Sequence, residues 1–280
     1  DIIKNYAPEI KPAAVKFCSS DGFSGIASNY EFSWDNAMII WKKVNKDTGK
    51  EEPVKGGLNS AVNGSEGKLW AKNLVSAECI PADLAIDGRY VTKAQLKAQG
   101  TETKSFVMNG KNGSDTKQVT GVTVETLIEK NIIRNIPATI EFASGDFKQT
   151  AAQYEYDWDN VMLVWNIDGE ELTTLRSAVN GSQGKMWVGK LDTVTTEKSV
   201  FEVSLDGSLK YLSMNQLKAY ETSKDMTSQT KKGTFTYKVA GITVSDLIKN
   251  YLGADMLASV SFYEKDGEAT PTETVYNREY

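Results

Sequence analysis

Asp157, Asp159 and Asn160 place three oxygen-bearing side chains within four consecutive residues, a grouping that offers hard ligands to calcium at the entrance to a strand. Asp35 and Asn36 repeat part of it, but Ser33 stands in the place of Asp157. A calcium loop needs a denser acidic set at defined spacing, so turn or capping use is the simpler reading. Cys18 and Cys79 are the chain's two cysteines, and an oxidising compartment would allow them to form a disulfide. They serve equally well as buried thiols. The chain contains no histidine, which removes the usual neutral-pH acid–base group and the commonest metal ligand. A Cys/His zinc site within one chain is thereby excluded, as is any Ser/His/Asp or Cys/His set. No glycine-rich phosphate loop follows a strand. Asn63-Gly64-Ser65, Asn112-Gly113-Ser114 and Asn180-Gly181-Ser182 match the glycosylation acceptor pattern, which Asn-Gly turns also generate by chance. On these residues no catalytic group, cofactor or cofactor-binding set is expected.

The composition sets wider bounds. At 280 residues, with 40% hydrophobic and 25% charged residues, the chain can bury the cores of two ordinary domains. Its net charge of −5 is spread over interspersed Lys and Glu, with no basic patch for nucleic acid. No apolar run approaches the ~18 residues of a membrane span.

The most informative stretch is written twice. SAVNGSEGKLW, from Ser60 to Trp70, returns as SAVNGSQGKMW, from Ser177 to Trp187. It lies inside a longer echo. NYEFSWDNAMIIW at Asn29–Trp41 matches QYEYDWDNVMLVW at Gln153–Trp165, and VTGVTVETLI at Val119–Ile128 matches VAGITVSDLI at Val239–Ile248. The period is roughly 120 residues, too long for a solenoid and right for a duplicated domain. The phase is unusual, because Asp1-Ile2-Ile3 aligns with Thr126-Leu127-Ile128 and with Asp246-Leu247-Ile248. The chain thus divides into 1–81, the later part of a first copy; 82–200, a complete copy; and 201–280, the earlier part of a third.

These phrases imply the elements that carry them. NVMLVW reads as a strand buried on both faces, followed by an Asp168-Gly169 hairpin turn. Thr92…Gln95 and Ser213…Gln216 are capping boxes at helix starts, and TVETLIEKN and TVSDLIKNYL read as second short helices. In the repeated phrase, Asn63-Gly64 and Asn180-Gly181 are turn dipeptides. Gly67 and Gly184 suit a further tight bend, Lys68 and Lys185 are solvated, and Trp70 and Trp187 anchor the next strand in the core. The expected class is α+β: strand-rich mixed sheets with short helices.

The order of these phrases resembles the molybdopterin-binding domain of the sulfite oxidase family. Asp206-Gly207, Gln216-Leu217, Gly241 to Ile248 and Val260 to Gly267 supply the first half of that pattern; Asn160 to Leu172, Leu175-Arg176 and Gly184 to Leu191 supply the second. The resemblance implies tandem sulfite-oxidase-like domains. It also implies a molybdenum-ligating cysteine ahead of the glycine–helix motif. The corresponding segments, Lys104 to Gly121 and Ser223 to Gly241, contain no cysteine, and Met108 and Met226 offer only thioethers.

The expectation is therefore a non-catalytic structural or interaction protein, extracellular or at the cell surface, built from degenerate repeats. Its partners would be further copies of the same repeat, the half-copies at the two ends closing on each other or joining head-to-tail into a filament. A molybdopterin oxidoreductase with an unusual ligand set and a ligand- or glycan-binding surface module are the competing readings.

Overall fold

A computed structural model describes Ile2, Asn5 and residues 9–205, 208–253, 259–264 and 272–277. Asp1 and Ile3 of the phase alignment, the Asp206-Gly207 turn and the Gly267 end of the third copy's strand lie outside the described residues. The chain forms two compact units, 1–198 and 199–280.

In the first unit, the stretch from Leu84 to Lys198 builds two five-stranded sheets. One runs in the order Phe147–Ala152, Pro137–Ser144, Thr193–Lys198, Leu84–Ile86, Arg89–Val91. Its closing strand Thr193–Lys198 pairs in parallel with its opening strand Leu84–Ile86. The other runs Glu170–Val179, Val161–Ile167, Gly113–Thr123, Glu102–Gly110, Ser182–Gln183. One apolar core draws on both, with Ile140 and Phe142 from the first sheet and Phe106, Val119 and Leu163 from the second all buried. Val161 to Trp165 is buried without interruption, which fits an apolar run covered on both faces. Asp168 and Gly169 both take positive φ, 53° and 87°, closing the hairpin that follows.

The earlier copy builds a three-stranded sheet, Ser24–Ser28, Pro12–Ser19, Leu74–Pro81, around a smaller core of its own. Pro12–Ser19 corresponds to Pro137–Ser144, and Leu74–Pro81 to Thr193–Lys198. Among the described residues Ala37–Ile40 and Asn59–Val62, the counterparts of Val161–Ile167 and Glu170–Val179, form a sheet of two strands. Among the described residues the second unit contains three hairpins: Phe201–Leu205 with Ser208–Leu212, Thr222–Thr230 with Gly233–Gly241, and Ser259–Glu264 with Thr272–Asn277.

The α+β expectation is corrected: the chain is mostly β, arranged in several sheets. The expected helices form, but as stubs. Both capping boxes are present, at Thr92/Gln95 and Ser213/Gln216, yet the helices they start run only over Lys93–Gln99 and Met214–Lys218. Thr123 and Thr243 cap the equally short Val124–Glu129 and Val244–Leu247. Helices of one or two turns bury one or two residues, Leu96 in the first and Val124 with Leu127 in the second, and do not make the second layer that an α+β fold requires.

Candidate functional site

The repeated phrase is a clamp of strand, turn and 3-10 turn, held by the same side-chain hydrogen bonds in both copies. Ser60 is fully buried; its hydroxyl donates to Leu69 O at 2.9 Å and accepts from Ala71 N at 2.9 Å. Ser177 does the same, donating to Met186 O at 2.8 Å and accepting from Val188 N at 2.9 Å. The indole N–H groups of Trp70 and Trp187 donate to Val62 O and Val179 O at 3.2 and 3.1 Å. Ser65 and Ser182 donate to those same two carbonyls, each at 2.7 Å. Gly64 and Gly181 supply the positive φ of the turn, 75° and 71°. Gly67 and Gly184 open short 3-10 turns. The residues that repeat are those whose polar atoms hold the backbone together. One expectation fails here: Trp187 lies in the core, whereas Trp70 is 43% exposed.

In the complete copy the clamp also seats the hairpin Glu102–Gly110/Gly113–Thr123. Asn180 Oδ1 accepts from Val107 N, and Gly181 N donates to Val107 O, both at 2.8 Å. Sequence reasoning read Asn180 as a turn former and missed this second use. The signal was available: an Asn-Gly turn needs only one of several residues at its first position, yet asparagine stands there in both copies.

The acidic trio does not assemble a calcium site. Asp159 pairs with Lys104, which also reaches Glu102 at 3.2 Å. Burial pulls the Lys104 ammonium down, but Asp159 and Glu102 together hold it above its ordinary value. Asn160 Oδ1 accepts from Asn180 Nδ2 at 3.3 Å, and Asn160 O from Asn180 N at 3.0 Å. Asp157 is the N-cap residue of the 3-10 turn Trp158–Asn160. Among the described residues no group of three His, Cys, Asp or Glu side chains is arranged to hold a metal ion.

Cys18 and Cys79 are both free and partly exposed. They lie on paired antiparallel strands, where Cys79 faces Val15 and Cys18 faces Ser76. An offset of three residues puts the two thiols on opposite faces of the sheet and about 10 Å apart along it, outside disulfide geometry. The disulfide that the sequence allows is thereby corrected. Both thiols of the native chain should react with a thiol reagent without prior reduction, giving two adducts by intact mass. A chain that takes up no adduct until reduced would contradict this register.

A hollow of about 330 Å³ opens beside the second clamp, lined by Glu155, Tyr156, Gln183 and Lys185 among others, with no buried charge converging on it. The residues do not fit the molybdopterin group that the family resemblance implies. The segment that would carry the ligating cysteine is the regular hairpin Glu102–Gly110/Gly113–Thr123. The two cysteines stand on another sheet, in the earlier copy.

No protein-family model and no curated protein matches the chain. Seven chains of solved structure do. Among them is the crystal structure of the sulfane dehydrogenase SoxCD from Paracoccus pantotrophus, 13% identical, with a TM-score of 0.36 over 84% of this chain and 76% of that one. A likeness of that degree carries no argument about fold or function. No helix among the described residues is long and apolar enough to cross a membrane.

Proposed function

We propose that this chain is a non-catalytic structural and interaction protein of the extracellular space or cell surface, in which tandem copies of one β-rich repeat serve as spacers and joining surfaces. The observation that supports this reading is the duplicated clamp. A duplicated reaction centre would repeat reactive groups around an accessible cleft. The polar groups that recur here, Ser60 with Ser177, Ser65 with Ser182 and Trp70 with Trp187, spend their hydrogen bonds on neighbouring backbone. Acidic groups of the complete copy are engaged as well, since Asp159 neutralises Lys104 and Glu171 binds Lys93 and Lys97. Loops rich in Thr, Asn, Ser and Lys, together with two cysteines in 280 residues, suit an exposed location.

Protein purified from its native source should contain neither molybdenum nor tungsten in stoichiometric amount, and should be recovered in the extracellular or surface fraction. A stoichiometric content of either metal would overturn the reading in favour of a molybdopterin oxidoreductase. An exclusively intracellular pool would overturn the location.

A further inference from the structure

The earlier and the complete copy meet inside the unit spanning residues 1–198, across a connector with no slack. Strand Leu74–Pro81 closes the one and strand Leu84–Ile86 opens the other, which leaves Ala82 and Asp83 between them. Both are tied down. Ala82 N donates to Lys11 O and Asp83 N to Val91 O, each at 3.0 Å, so each residue extends the strand pairing of the copy it adjoins. The Asp83 carboxylate also accepts from Lys93 N at 2.7 Å, at the start of the helix Lys93–Gln99.

Away from the connector, three consecutive residues of the earlier copy are gripped by the complete one. Tyr90 N donates to Asn29 Oδ1 at 2.8 Å. Gln95 Nε2 donates to Ser28 Oγ at 3.1 Å, and Gln99 Nε2 to the Tyr30 hydroxyl at 3.4 Å. Arg89 donates through Nη1 to Tyr30 O at 3.2 Å and through Nη2 to Ile132 O. One guanidinium thus joins a main-chain carbonyl of each copy, and its planar fork fixes direction as well as distance. The Tyr30 ring packs against the buried core of the complete copy, to which it does not belong in sequence. Burial raises the Tyr30 phenol and lowers the Arg89 guanidinium from their ordinary values, so both groups have given up water to meet.

Neighbouring domains of one chain ordinarily move relative to each other, because the linkers between them are exposed and few contacts cross. Three features oppose that here: a connector whose two residues are both hydrogen-bonded, an aromatic ring seated in the neighbour's core, and a cation bonded to both backbones. From this we infer that the turn Ser28–Tyr30 is a docking surface on which the earlier copy seats the copy that follows it, with Tyr30 as the knob and Arg89 as the pin, and that docking fixes the angle between the two. Across this joint the chain is a stiff spacer and not two beads on a string. The inference deepens the spacer role proposed above and rests on it.

The test is a pulsed dipolar distance measurement on the full chain. One nitroxide is placed on Cys18 of the earlier copy and one at Asp146→Cys, an exposed turn position of the complete copy, with Cys79→Ser removing the other thiol. A single narrow distance is expected. Tyr30→Ala and Arg89→Ala should each widen that distribution by about twofold or more, as the copies regain the ordinary freedom of linked domains. Tyr30→Phe should leave it narrow, because the ring seats the turn and the long bond from Gln99 does not. Asn29→Ala removes one hydrogen bond and no packing, so it replaces either truncation that fails to melt cooperatively; it should widen the distribution to a smaller extent. A broad distribution before any joint residue is changed would overturn the inference. So would an unchanged width in every joint variant that folds, since the two-residue connector would then set the angle alone. These distances are independent of the metal content and cellular fraction on which the proposed function is tested, so either reading can fail without the other.

Discussion

Gly121→Ala destabilises the unit spanning residues 1–198 by about 3 kcal/mol or more, at or above the ~1–3 kcal/mol of ordinary overpacking. The glycine lies at a register shift, where Thr120 pairs with Asn166 and Gly121 with Val164. The obstacle to a methyl group is the backbone of Leu163 and Val164, which no rotamer change can move aside. Relief requires the strand Gly113–Thr123 to withdraw from Val161–Ile167, and these are two of the three inner strands of their sheet. In a unit of this size each kcal/mol moves the melting midpoint by roughly 2–4 °C, so a fall of about 6–12 °C is expected by calorimetry. A fall below about 2 °C would show that the strands tolerate the separation.

Ser177→Ala is expected to cost about 2–4 kcal/mol, because one buried hydroxyl serves two buried backbone groups. The Met186 carbonyl loses its donor and the Val188 N–H loses its acceptor, and water cannot reach either. Ser60→Ala repeats the experiment in the earlier copy, where the serine is equally buried and makes the same two bonds. Ser182→Ala is the internal control. Its acceptor, Val179 O, keeps the Trp187 indole N–H as a donor, so the loss should stay near ~1 kcal/mol or below. Chemical denaturation of the three variants checks the ranking, and equal losses for Ser177→Ala and Ser182→Ala would sink it.

Much of the local structure was legible in the residues. Both capping boxes, the Asp168-Gly169 hairpin and the buried run from Val161 to Trp165 follow from short-range rules: side-chain capping, positive φ and periodicity. Fold class was less legible, because a cap marks where a helix starts and not how far tertiary packing lets it run. The acidic trio was ambiguous for a related reason. Asp159 finds its counter-ion in Lys104, far away in sequence and one element away in space, and no local spacing announces that pair.

By itself the sequence determined the duplication, its phase and the absence of histidine, since these are properties of letters and of their order. Only the tertiary structure decided which repeated letters are equivalent in use. Trp187 and Trp70 occupy the same position in the same clamp, as do Met162 and Met38 in the same strand, yet one of each pair is buried and the other meets water. The difference arises because burial is a property of the sheet a residue joins. In the complete copy the hairpin Glu102–Thr123 covers those positions; in the earlier copy, among the described residues, the strand Ala37–Ile40 has a single neighbour.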